Sequence, residues 1–210
     1  MANTPFTQEE IRQKLLNAAK SLFLEYGIAG TEMKMIAERS GLSRSTLYRY
    51  TTDKNQLAFM VSIAILTDYA EKSLDIPMLP NATGFDKLQA FSRRMVDILA
   101  EDPSITRFFG EFDKIYTGEY PDIPEAHEYA DMMNRIVSRD AQFLFEGMAD
   151  GSILPLEQPL LFISVLTNTI LGLAERLLPR DEHYRREHRS SGREILDETI
   201  RILLASVKAP

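Results

Sequence analysis

At 210 residues, 44% hydrophobic and 26% charged, the chain has the length of one domain or two small ones and can bury a core without staples. It has no cysteine, which excludes disulfides, thiol catalysis and Cys-type zinc or iron–sulfur sites and leans toward a reducing cytosol. The formal charge of −7 is unevenly spread: residues 1–60 hold eight Lys or Arg against six Asp or Glu, while the other 150 hold sixteen against twenty-five, so only the amino-terminal piece suits a polyanion.

The opening stretch, MANTPFTQEEIRQK, has no apolar run after a basic start, so no secretory signal is read there. From there on apolar residues recur at helical spacing, and no segment is both β-branched and strictly two-periodic, so the fold is expected to be all α. Ile11, Leu15, Ala18, Ala19, Leu22, Phe23 and Tyr26 form one stripe of a first helix that Gly27 ends. Thr31 is expected to cap a second helix, with Met33, Ile36 and Ala37 inward and Gly41 as its stop. Ser43 caps a short third helix, and Thr52 is expected to cap the next. Breaks follow at 75–84, 101–104, 117–125 and 150–155, separating amphipathic segments near 53–74, 84–100, 104–116, 124–149 and 157–178. A mixed-charge linker around 179–192 then leads to a last helix near 193–207, about nine helices in all. The run 160–178 is apolar, but Ser164, Thr167, Asn168, Thr169, Glu175 and Arg176 argue for a buried helix rather than a membrane span.

The third helix concentrates the chemistry. On a wheel of about 100° per residue, Arg44, Tyr48, Ser45 and Arg49 fall within roughly 140° of one another, and Leu47 points away. One face anchors the helix; the other is wholly polar. Such a face also suits plain solvent, but Arg44 and Lys54 both sit in first turns, where the helix dipole disfavours cations. Phosphate oxygens are the compensating partner that both would accept. The second helix, the turn SGLS and this helix have the lengths of a helix-turn-helix.

Residues 9–60 resemble the DNA-binding domain of TetR-family transcriptional repressors. The resemblance rests on Tyr26 and Gly27, Thr31, Ile36 and Ala37, then Gly41, Leu42, Ser43, Thr46, Leu47, Tyr48, Tyr50 and Lys54. Two departures stand out: Thr51 occupies a position usually held by Phe beneath the recognition helix, and Ser45 one where Gly is common. The resemblance implies that Tyr48, Tyr50, Lys54 and Thr31 grip the phosphate backbone, and Lys34 and Ser43 are further expected DNA-binding residues. It places Arg44, Ser45, Thr46 and Arg49 within reach of base edges. Of these, the two arginines match the guanine O6/N7 edge best.

One short recognition helix reads few base pairs, so a paired half-site and a homodimer are expected. The helix at 160–178 and the last helix, with Ile195, Leu196, Ile200, Leu203, Leu204 and Val207, are expected to form a four-helix bundle across a two-fold axis. The same residues could instead complete the protomer's own core. In the middle, Phe108, Phe112 and Tyr116 repeat every four residues, the spacing of a packed stripe. Phe109, Tyr120, Tyr129, Met132, Met133, Phe143 and Met148 add aromatic and thioether surface suited to an apolar ligand pocket. The resemblance likewise implies a small effector bound there. The expected effector residues are Phe108, Phe112, Tyr116, Tyr129, Met133 and Asn168, with Glu111, Asp113 and Arg135 as further polar contacts.

No enzyme is read in this chain. His183 and His188 are five apart, off the spacing that pairs ligands on one helix face, and His127 stands alone; no phosphate loop, nucleophile motif, metal cluster or cofactor site is found. The expected organisation is a helix-turn-helix domain at 1–54 and an antiparallel helical effector-binding and dimerisation domain at 55–210. The expected function is a cytoplasmic, dimeric repressor on a palindromic operator in double-stranded DNA. The rival reading is a helical protein-interaction module whose basic helix binds an acidic partner, without duplex affinity or steep salt dependence.

Overall fold

The computed structural model describes residues 6–76 and 80–210, so part of the expected break at 75–84 lies outside the described residues. The described residues are all α apart from one isolated bridge between Ile153 and Lys208. The helices are α1 (Gln8–Gly30), α2 (Met33–Ser40), α3 (Arg44–Tyr50), α4 (Lys54–Lys72), α5 (Gly84–Glu101), α6 (Pro103–Ile115), α7 (Pro124–Asp140), α8 (Gln142–Asp150), α9 (Pro159–Leu177), α10 (Asp181–His188) and α11 (Gly192–Ala205). A 3₁₀ turn, Leu178–Arg180, links α9 to α10.

Two helices were not expected. The segment 124–149 is split at Ala141, whose φ of −69° and ψ of −13° carry no proline or glycine signal. The linker around 179–192 contains α10, held by the single buried residue Tyr184, whose hydroxyl accepts from Arg176 Nε at 2.8 Å. His183 and His188 are nevertheless exposed.

Two compact units form. The first comprises Met1–Leu66 and Arg107–Ala130, and the second Thr67–Thr106 and Asp131–Pro210, a division that falls within α4, α6 and α7. In the first unit the α1 stripe is buried as expected from Ile11 to Phe23, whereas Tyr26 is 51% exposed. Ile36, Ala37 and Leu47 close the core of α1 to α3. Phe59 and Phe112 lie edge to face at 5.0 Å, and Phe23 stacks on Phe108 at 6.3 Å.

In the second unit α5, α8, α9 and α11 enclose an apolar core that includes Phe91, Met95, Leu144, Ile163, Leu166, Ile170, Leu196, Ile200 and Leu204. The start of α5 approaches α8 so closely that a Cβ at Gly84 would fall on the backbone of Gly147, so glycine is required there. The run Pro159–His188 is long and apolar enough to cross a membrane, but in this fold Ile163, Leu166, Ile170, Ala174 and Leu177 of α9 are core residues. Leu196, Ile200 and Leu204 on α11, and Val207 just beyond it, expected at a dimer interface, belong to the protomer's core.

The second unit holds a buried ion pair at the edge of this core. Arg139 Nη2 donates to Asp140 Oδ1 at 2.6 Å, while its Nη1 and Nη2 reach Ala70 O and Ser73 Oγ near the end of α4. Burial pushes the Asp140 carboxyl up to about 6, against the hydrogen bond and charge of Arg139. A carboxyl with a raised folded pKa binds its proton more tightly in the native state, so its contribution to stability grows as pH falls from 6 toward 4 and is lost as pH rises again. Each tenfold difference in proton affinity between the folded and unfolded chain is worth about 1.4 kcal/mol, so the change reaches at most about 3 kcal/mol. Asp86, Asp150 and Glu146, held low by hydrogen bonds, oppose it on the acid side. Denaturant melts of the parent and Asp140→Asn at pH 4, 5, 6 and 7 isolate the effect: the parent loses stability relative to the variant as pH rises. Parallel pH curves would refute it.

Candidate nucleic-acid interface

The site is built from α2, α3 and the turn between them. Gly41 ends α2 in the left-handed region at φ 70°, the conformation expected of a C-terminal glycine stop. Ser43 Oγ accepts from Thr46 N at 3.1 Å and lies 2.9 Å from the hydroxyls of both Ser45 and Thr46, which fixes the first turn of α3. Leu47 is completely buried and anchors the helix. Across from it Arg44, Ser45, Tyr48 and Arg49 are exposed, with Thr46 and Tyr50 half-buried. The Arg49 guanidinium rests 5.2 Å from the centre of the Tyr50 ring. Lys34 on α2 is exposed, 3.8 Å from Glu38.

Thr51, in the place of the usual aromatic, is buried, and its hydroxyl is satisfied by Asp53 O at 3.1 Å. The position stays in the core with a smaller side chain.

Three local expectations change. Thr31 does not cap α2, which starts at Met33 with Glu32 before it; Thr31 is 1% exposed and its hydroxyl donates to Gly27 O at 2.7 Å. That geometry directs Thr31 into the α1–α2 connection and away from a ligand. Asp53, not Thr52, caps α4, its Oδ1 accepting from Gln56 N at 3.0 Å. Lys54, whose place in a first turn called for an external anion, has an internal partner: its Nζ donates to Thr31 O at 3.0 Å and Ala29 O at 3.4 Å. Carbonyls at a helix end carry the negative end of the dipole, so the ammonium is compensated there.

The same connection is held from α6. Gly27 has φ 80° and ψ 167°, and beyond it the amides of Ile28 and Ala29 each donate to the Glu111 carboxylate at 2.7 Å. Glu111, expected near an effector, is committed to these amides.

Four of the expected effector residues, Phe108, Phe112, Tyr116 and Tyr129, come together in the first unit. Phe108, Phe112 and Tyr129 are buried in the first unit in one aromatic cluster with Phe59, Phe109, Tyr116 and Tyr120. Tyr116 donates to Asn55 Oδ1 at 2.9 Å, and partial burial pushes its phenol up to about 12. Met133 and Asn168 belong to the second unit, where Asn168 is exposed on α9 and bonds Ser164 O at 2.8 Å. Sequence reasoning missed Tyr69, whose buried hydroxyl has no hydrogen-bond partner and whose phenol is pushed well up by burial and by the charge of Asp140. A tyrosine among alanines and acids on an amphipathic helix carries no signal of this.

These features define a helix-turn-helix protein with an exposed, basic recognition-type helix and a second, all-helical unit. Residues 15–61 match the model of the bacterial regulatory proteins of the tetR family. No curated protein is a significant match. Among solved structures, the chain is similar to a tetR-family regulatory protein from Rhodococcus RHA1, at 17% identity and a TM-score of 0.70, covering 97% of this chain and 100% of the other. It is also similar to FadR of Bacillus subtilis solved with stearoyl-CoA, at 15% identity and a TM-score of 0.66, covering 92% and 98%. AibR, solved with isovaleryl coenzyme A and operator DNA, is 17% identical with a TM-score of 0.65, covering 93% and 98%. At such identities the likeness is one of fold, and it extends over nearly the whole chain.

Proposed function

We propose that the chain is a sequence-specific DNA-binding regulator of transcription, acting as a dimeric repressor that a small apolar or amphipathic effector releases from a palindromic operator. The observation that carries this reading is the polar face of α3: Arg44, Ser45, Tyr48 and Arg49 are all exposed opposite the buried Leu47, on the second helix of a helix-turn-helix. Residues 1–54 are the DNA-binding part, acting in the cytoplasm. Arg44, Ser45, Thr46 and Arg49 face bases, and Lys34, Ser43, Tyr48 and Tyr50 face phosphates. Residues 55–210 bind the effector and the second protomer. Dimerisation is supported by an exposed stripe on α9, Leu161, Val165, Asn168 and Gly172, at helical spacing, where a side chain at Gly172 would meet nothing within 4 Å. AibR and FadR, solved with acyl-CoA ligands, make an acylated effector a reasonable first class to screen.

The test is selection of bound fragments from sheared genomic DNA of the source organism at several salt concentrations. A few palindromic sites, with affinity falling steeply as salt rises, are expected. Nothing bound by folded, ligand-free dimer would instead favour an acidic protein partner for α3. On a selected site, Arg44→Ala is expected to weaken binding about ten- to hundredfold while barely changing binding to a scrambled duplex, the loss of one bidentate base contact. Lys54→Ala is expected to weaken both duplexes alike and to lower the melting temperature, since Lys54 braces Ala29 and Thr31. Equal losses on the two duplexes for Arg44→Ala would remove it from base reading.

A further inference from the structure

The segment 27–32, the last turn of α1 with its connection to α2, is braced from both sides by residues outside the helix-turn-helix. Its amides at Ile28 and Ala29 donate to the two oxygens of Glu111 on α6, each at 2.7 Å, and its carbonyls at Ala29 and Thr31 receive Lys54 of α4. Charge-assisted bonds of this length are about twice as strong as neutral ones, and a bidentate pair also fixes orientation. Gly27 leaves room for the carboxylate: a Cβ there would stand 2.5 Å from Glu111 Oε2. The chain thus uses a side chain more than 80 residues away to hold the end of α1, with no polar side chain of its own segment satisfying these two amides. α6 is continuous from Pro103, and its first turn belongs to the second unit.

We propose that Glu111 is a positioning residue for DNA reading: its carboxylate, seated on the Ile28 and Ala29 amides, locks the α1–α2 connection and thereby the orientation in which α2 and α3 meet the duplex. This rests on the DNA-binding reading above. Glu111 touches no base; it acts through the backbone from which α2 departs.

Glu111→Gln tests this with little change in volume. The amide oxygen can accept from one of the two N–H groups, but its NH₂ then faces the other. The variant is expected to keep its helical circular dichroism while the Ile28 and Ala29 amides exchange at least about tenfold faster in the folded state. Affinity for a selected site is expected to fall about tenfold, the scale of one lost charge-assisted hydrogen bond. Binding to scrambled duplex and its salt slope should hold. Unchanged exchange at the two amides would overturn the proposal. So would faster exchange with both duplexes weakened in equal ratio, or with neither weakened, because a purely structural brace predicts those outcomes. Should Glu111→Gln not fold, Glu111→Asp, which withdraws the carboxylate by one methylene, is read by the same criteria. If the parent protein binds no duplex, the DNA reading fails and this inference with it; if the parent binds and only the variant behaves otherwise than stated, this inference alone fails.

Discussion

Gly27→Ala is expected to destabilise the protein by about 3–5 kcal/mol and, on the DNA-binding reading proposed above, to abolish binding to a selected site at temperatures where the parent is fully folded. Two separate causes act at one atom. With φ 80° and ψ 167°, residue 27 occupies a region that side chains with a Cβ hardly enter, which costs roughly 1–3 kcal/mol. The added carbon would also displace Glu111 Oε2 from the Ile28 amide, removing a hydrogen bond worth about 1.5–3 kcal/mol where the acceptor is charged. Chemical denaturation of Gly27→Ala, Glu111→Ala and the double variant separates these. The double variant should be more stable than additivity predicts, because the steric conflict disappears with the carboxylate while the backbone strain persists. Strict additivity would mean that the carboxylate moves aside freely and that only the backbone requires glycine.

The same residue shows what the sequence can and cannot convey. The glycine break after Tyr26, which kinks α1 rather than ending it since the helix runs on to Gly30, is legible, because positive φ selects glycine locally. The partner that makes it indispensable is not, because Glu111 lies 83 positions from Ile28 and looks like any exposed acid on an amphipathic helix. Helix α3 is legible almost completely: its cap, its anchor Leu47 and its polar face all follow from local chemistry and the helical period. Its flanks are not. Lys54 looked uncompensated because carbonyl acceptors leave no mark in a sequence, and Asp53 displaced Thr52 as cap by a one-residue shift that hydroxyl and carboxylate side chains satisfy equally well. The break at Ala141 and the helix around Tyr184 went unseen for a related reason. Contacts beyond the local turn, Arg139 with Ala70 and Ser73 in one case and Tyr184 with Arg176 in the other, accompany them where propensity is indifferent.

Helical spacing also cannot say what a stripe faces, and Phe112 decides between the two readings of the aromatic segment. Its ring meets those of Phe59, Tyr116, Tyr129, Phe108 and Phe109, at centroid distances from 4.6 to 6.4 Å, and is entirely buried. A residue packed on every side leaves a cavity when truncated, so Phe112→Ala is expected to cost about 3–5 kcal/mol, whereas Phe112→Leu should cost much less. Because Phe112 follows Glu111 on α6, loosening the cluster should also speed exchange of the Ile28 and Ala29 amides, so packing and the carboxylate brace weaken together. A ligand-lining side chain behaves differently: its truncation leaves the ligand-free protein nearly as stable and alters only effector affinity. A loss below about 1 kcal/mol for Phe112→Ala would therefore return this stripe to the effector site. The full loss would leave the effector to be sought among other residues, with the buried, unpartnered hydroxyl of Tyr69 as the first to mutate.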